Sequence, residues 1–169
     1  ITTDYTSAFS AGSISIPDNN PSGVVSQIVL QTPGGTVDSL SVTLNLQNSD
    51  ISSVSAVLTA PDGAEYVLTD DGEGSGTQIN TTYPAPTSPV SGDLTTWVGA
   101  DPSGTWALRV QDHAFLNNND DGNFAWSILV TGESGASAQI NGTLNITDNT
   151  NLDGDLAVAG NTAFMGGGL

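Results

Sequence analysis

Apolar residues in this chain fall in short runs at every second position, and turn residues cut one run from the next. Over residues 39–46 (SLSVTLNL), Leu40, Val42, Leu44 and Leu46 share one side. A period of two marks a strand with one face in a core and the other in water. Residues 105–112 likewise align Trp106, Leu108 and Val110, and residues 124–130 align Phe124, Trp126, Ile128 and Val130. Residues 54–59 and 65–69 flank Pro61-Asp62-Gly63, a good turn sequence, and are predicted to form a hairpin. Residues 13–16 and 24–30 add two more strands, closed by Pro17-Asp18-Asn19-Asn20-Pro21 and by Pro33-Gly34-Gly35. Strands at this spacing without a helical period imply an all-β antiparallel sandwich or barrel. The two tryptophan-bearing segments are expected to be side-by-side neighbours within a closed shell.

Other stretches break the pattern. Residues 1–12 are polar and are expected to be an N-terminal arm. Residues 70–104 are rich in Asp, Gly, Thr and Pro, with Trp97 as the main apolar anchor. They read as a long loop region with one or two short strands, the kind of segment that often carries binding work. The domain is expected to span residues 13–132, and residues 133–139 have the small, polar composition of a linker. In residues 140–169 a unit of twelve repeats: Gly142, Gly154 and Gly166 are evenly spaced, and Leu144, Ile146 and Leu152 match Leu156, Val158 and Phe164. Each unit is too small to bury its apolar side alone, so a β-repeat stalk that associates with other chains is expected, a homo-oligomer with a trimer favoured.

Charge narrows the range of partners. Asp and Glu number 18 against a single Lys or Arg (Arg109), which gives a net charge of −17. Such a chain repels a phosphate backbone, so no nucleic-acid partner is expected. Acidic surfaces stay soluble and attract divalent cations. No apolar run is long enough to span a membrane as a helix, so no membrane insertion is expected. There is no Cys, which removes disulfides, thiolate metal sites and cysteine nucleophiles. The chain opens on Ile1 without a basic and apolar leader, as a matured or trimmed chain does.

Candidate chemistry is sparse. The only His is His113, directly after Asp112, and no G-x-S-x-G elbow is present, so a Ser–His–Asp enzyme is not expected. Calcium is the plausible ion, because it takes about six to eight oxygens of the kind that Asp/Asn/Gly loops supply. One cluster joins Asp112 to Asn117, Asn118, Asn119, Asp120 and Asp121 and ends at Gly122, with Asp101 as an added ligand if the fold brings it near. The second comprises Asp70, Asp71 and Glu73. A calcium ion in either would be structural. The competing reading is Asx turns in solvated acidic loops. Trp97, Tyr83 and Tyr66 are candidates for stacking on a sugar if they are exposed.

With these elements placed, residues 13–132 resemble the P domain, or Homo B domain, of proprotein convertases and many bacterial proteases. The likeness is carried by SISIPDN near the start, by SLSVTLNL, and by the hairpin VSAVLTAPDGAEYVL. Its most specific part is DLTTWVGADPSGTWALRVQDHA followed by DDGNFAWSILVTG, with Gly104-Thr105-Trp106, Asp112, and the pair Gly122 and Trp126. The resemblance implies an eight-stranded jelly-roll barrel that follows and stabilises a subtilisin-like catalytic domain without itself cutting peptides. Two segments depart from the family: Leu46-Gln47-Asn48 stands where a His-Thr pair is common, and Gln78 to Tyr83 stands where an acidic segment is common. The repeat after the linker resembles the shaft repeats of phage fibres and bacterial surface stalks.

The expected function is therefore a non-catalytic structural or adhesion module on a cell or virion surface, carried on an oligomeric β-stalk and touching a cell-surface glycan or protein. Two alternatives stay open: a P domain stabilising, or released from, an extracellular subtilisin-like protease, and a carbohydrate-binding module.

Overall fold

A computed structural model describes residues 3–115 and 122–134. Eight strands follow in order: β1 (Thr3–Ile16), β2 (Val24–Leu30), β3 (Thr36–Gln47), β4 (Val54–Thr59), β5 (Glu65–Thr69), β6 (Gln78–Tyr83), β7 (Gly104–Asp112) and β8 (Gly122–Ser134). Two short 3-10 turns, Ile51–Ser53 and Leu94–Trp97, complete the set. Each turn is opened by an Asp that accepts from the amide and hydroxyl two residues on. Asp50 takes Ser52 N at 3.0 Å and Oγ at 2.7 Å, and Asp93 takes Thr95 N at 2.9 Å and Oγ1 at 2.6 Å. These are N-caps that satisfy donors the short helices leave open.

The strands form two four-stranded sheets, in the orders β1-β8-β3-β6 and β2-β7-β4-β5, with every pair antiparallel. Pairing is nested: β1 takes β8, β2 takes β7, β3 takes β6 and β4 takes β5. This is a long hairpin folded over on itself, the jelly-roll arrangement. The two sheets form a sandwich and do not close into a barrel.

The predicted stripes make the core. Leu40, Val42, Leu44 and Leu46 of β3, Phe124, Trp126, Ile128 and Val130 of β8, and Trp106, Leu108 and Val110 of β7 are all buried. Each such side chain contributes about 1.5–3 kcal/mol by leaving water. Buried indoles need a partner for their N–H. Trp126 Nε1 donates to Ser26 Oγ at 2.8 Å, from β8 of one sheet to β2 of the other, and Trp106 Nε1 donates to Pro102 O at 2.8 Å.

Three expectations need correction. The tryptophan strands β7 and β8 are not neighbours; they belong to opposite sheets and face each other across the core. A period-two stripe tells which face is inward, not which strand lies alongside. Residues 3–12 are not an arm but most of the 14-residue β1, and Tyr5, Phe9, Ala11 and Ile14 pack partly buried against the core. Their alternation is diluted by Ser and Thr, which hides it in the sequence. β8 continues past Gly132 to Ser134, so the domain edge lies two residues into the expected linker. The region 70–104 supplies one strand, β6, which sits at a sheet edge beside β3. The remaining linker residues 135–139 and the repeat 140–169 lie outside the described residues.

Candidate functional site

The expected calcium ligand Asp112 closes β7 and is fully buried. Both its oxygens are engaged by the protein: Oδ2 accepts from Asn48 Nδ2 at 2.9 Å, and Oδ1 accepts from Ala114 N at 3.0 Å. Asn48 is itself buried just after β3. Its Oδ1 accepts from Asp50 N at 2.9 Å, and its backbone N–H donates to Thr77 O at 3.1 Å. The Asn48–Asp112 bond therefore joins the end of one sheet to the end of the other. Asp112 is turned toward this clip and already holds two donors. Asn117, Asn118, Asn119, Asp120 and Asp121 lie outside the described residues. Asp101 is not brought to Asp112, because the nine-residue β7 separates them, a span of roughly 30 Å. Asp101 instead accepts from Ser103 N at 2.9 Å, and hydrogen bonding from Ser103 holds its carboxyl below the usual carboxylate range.

Asp70, Asp71 and Glu73 form an exposed turn after β5. Asp70 Oδ1 accepts from Asp71 N at 2.9 Å, Asp70 O accepts from Glu73 N at 3.0 Å, and Gly72 N donates to Ser52 O at 2.7 Å. The Asp70–Glu73 backbone bond makes this a β-turn, tied to the neighbouring loop. Among the described residues no group of three His, Cys, Asp or Glu side chains is arranged to hold a metal ion.

The three aromatics expected at a sugar site are core residues: Tyr66 is 5 % exposed, Tyr83 2 % and Trp97 6 %. Trp97 Nε1 donates to Tyr66 Oη at 2.8 Å, and the Trp97 ring tilts against Trp106 with centroids 5.0 Å apart. They sit inside because each has a core neighbour to pack on, which sequence spacing does not reveal. None of the three offers a stacking face to a ligand.

His113 is exposed, and its Nε2 lies 2.8 Å from Ser55 Oγ. The pair does not extend to a relay, because the Asp112 carboxylate is directed to Asn48 and Ala114. Ser55 is also 4 % exposed, which keeps its hydroxyl from a substrate. Its role is to fix the segment after β7, together with the His113 N to Ser53 O bond of 2.9 Å.

The structure shows one cleft that the sequence did not. Its volume is ≈ 410 Å³, and it is lined by Gln47, Asn48, Ser49, Thr77, Gln78 and Asn123. Gln47 pairs with Asn123 on one side and Gln78 on the other, so β8, β3 and β6 present three amides in one row. The two segments that depart from the resembled family, around Gln47 and around Gln78, are thus paired with each other. Only strand register brings these positions together, and no spacing along the chain signals it. The lining is polar and uncharged, which suits hydrogen bonding to a neutral group and puts no ionisable acid or base beside the Ser49 and Thr77 hydroxyls.

Several solved structures are similar to this chain at a low level. The serine protease of Aeromonas sobria in complex with its chaperone is 17% identical, with 76% of this chain and 28% of that chain covered and a TM-score of 0.46. The same protease without the chaperone gives 17% identity, coverage of 75% and 27%, and a TM-score of 0.43. The Gx strain of infectious bursal disease virus gives 15% identity, coverage of 80% and 31%, and a TM-score of 0.33. The chain spans under a third of the length of each. No curated protein matches it. The sequence profile of the proprotein convertase P-domain does match, over residues 37–130. That stretch starts within β3 and ends within β8, and it holds the hairpin, both core tryptophans of the facing strands, and Asp112. The chain belongs to the proprotein convertase P-domain family.

Proposed function

We propose that this chain is a non-catalytic companion domain that works outside the cell and stabilises a subtilisin-like catalytic domain by docking against it. The observation that carries this reading is the family match across the sandwich core, from β3 to β8. One further fact supports it. The buried Asp112, Ser55 and Trp97 hold the fold together and leave no acid–base–nucleophile set on the described surface. Among the described residues no helix is long and apolar enough to cross a membrane. The test mixes the purified chain with the subtilisin-like catalytic domain of the same source. The expected result is a complex and a higher thermal midpoint for the catalytic domain. A chain that leaves this midpoint unchanged at saturating concentration, or that hydrolyses peptides by itself, sinks the proposal.

The twelve-residue repeat of residues 140–169 favours an addition to this reading, display of the domain on an oligomeric stalk. Light scattering is expected to show an oligomer for the full chain and a monomer for a chain ending at Ser134. Monomers in both cases would refute it.

A further inference from the structure

The outward faces of the two sheets differ in kind. On the β1-β8-β3-β6 sheet, aligned outward positions are mostly hydroxyls and amides, such as Ser127, Thr43 and Thr82 in one row and Asn123, Gln47 and Gln78 in another, with Leu129 as the large apolar side chain exposed among them. This is what water selects. The outward face of the β2-β7-β4-β5 sheet is not. One row crosses all four of its strands as Val25, Arg109, Val57 and Val67. In the next, Gln27, Ala107, Thr59 and Glu65 stand side by side, and Val29 lies one further row along β2. Val25 is 53% exposed and Val29 62%. In a chain with 18 acidic residues, the one Lys or Arg stands in the middle of this valine row. Single exposed apolar residues need no explanation, but several valines grouped around a lone cation mark an interaction surface.

We infer that this face, centred on Arg109 and bordered by Val25, Val29, Val57 and Val67, is the docking surface for a protein partner that presents a carboxylate set in an apolar patch. The assignment rests on the companion-domain reading above and names the surface that reading requires. Charge decides the polar half of the match. An Arg between valines is drawn to a single carboxylate that loses its water on contact, and a partner with a cation there is repelled. Area decides against a second copy as the occupant. Four strands about 4.8 Å apart and roughly 23 Å long give a face of about 440 Å². Two copies stacked on it would bury about 900 Å² in total, below the roughly 1,200 Å² of a stable pair. Each copy would also bring a net charge of −17. A larger partner can reach the rim of the face as well as its centre.

The experiment uses the full chain, with the subtilisin-like catalytic domain of the same source as the probe and calorimetry as the readout. Arg109→Glu, and Val25→Glu combined with Val29→Glu, are each expected to weaken binding by about tenfold or more. Arg109→Lys should keep most of the affinity. Asn45→Asp, which adds a negative charge to the other sheet's outward face, should leave it unchanged. All altered side chains are solvent-exposed, and unchanged thermal midpoints confirm that the variants fold. If the catalytic domain binds wild type and both disruptive variants alike, the face is wrong and the companion reading stands. A wild-type chain that fails to bind overturns both. Light scattering in which these variants dissolve a self-associated chain would assign the face to a second copy and overturn the proposal.

Discussion

Asn48 donates its side-chain amide to Asp112 Oδ2 at 2.9 Å where the end of β3 meets the end of β7, and both residues are buried. The bond ties the two sheets together at one end of the sandwich. Its loss leaves a buried carboxylate with one donor fewer, and such a group costs more than an ordinary missing hydrogen bond. Asn48→Ala is expected to destabilise the domain by about 2–3 kcal/mol. Asn45→Ala, on the exposed face three residues earlier, should stay within about 0.5 kcal/mol. Urea denaturation of the two variants checks this, and equal midpoints would show that the clip contributes nothing.

Much of the sandwich was legible before any coordinates. The stripes of β3, β7 and β8 were read residue by residue, and the hairpin around Pro61-Asp62-Gly63 forms as expected, with Val57 opposite Val67. Those features are local, set by the alternation of side chains and by turn chemistry. What failed was long-range. The sequence does not say that Trp106 and Trp126 enter the core from opposite sheets, because both stripes look alike whichever strand lies beside them. Nor does it say that Gln47 lies between Asn123 and Gln78, or that Arg109 lies between Val25 and Val57. Trp97, Tyr83 and Tyr66 were misjudged for a related reason. Tyr83 and Trp97 come from the loop-rich middle of the chain and Tyr66 from the short β5, where alternation is weak, and only the packed neighbours show them to be core.

Two glycines of β8 are held by close packing rather than by turn geometry. A Cβ on Gly122 would run into the Gln47 carbonyl oxygen, and one on Gly132 would run into the Thr36 carbonyl oxygen. Both obstacles are backbone atoms of β3, which cannot swing aside without breaking the ladder. Gly122→Ala and Gly132→Ala are each expected to cost about 1–3 kcal/mol, the usual range for overpacking. Thermal unfolding checks this. A midpoint within a degree of wild type for either variant would mean that β3 yields locally.

Trp97 separates a structural role from a ligand role. Its ring packs on Trp106, and its N–H is spent on Tyr66 Oη. Trp97→Ala is expected to lower stability by about 3–5 kcal/mol, as for other large-to-small changes in a core. Trp97→Phe refills part of the volume but removes the donor to Tyr66, so it should cost less than the Ala change and still more than zero. Chemical denaturation should rank wild type, Phe and Ala in that order. A Trp97→Ala chain of wild-type stability would place this ring outside the core and reopen the sugar-site reading.

Tyr83 sets an alkaline limit. Burial raises its phenol above the usual tyrosine value, because the charged phenolate is poorly solvated there. The folded state therefore holds the proton more tightly than the unfolded chain. The stability linked to this group is full below the unfolded value of about 10 and is lost as pH rises through the higher folded value. Tyr83→Phe carries no such proton. Between about pH 8 and about pH 11 the wild-type urea midpoint is expected to fall further than that of Tyr83→Phe. Other ionisations act on both proteins alike, so the difference between the two curves isolates this one group. Asp93 shifts the opposite way, because the Thr95 hydroxyl and amide hold its carboxyl below the usual range, and its linked stability fades only as pH falls. It cannot account for an alkaline difference. Curves that stay parallel across the whole alkaline range would show that the Tyr83 hydroxyl reaches water in the folded chain.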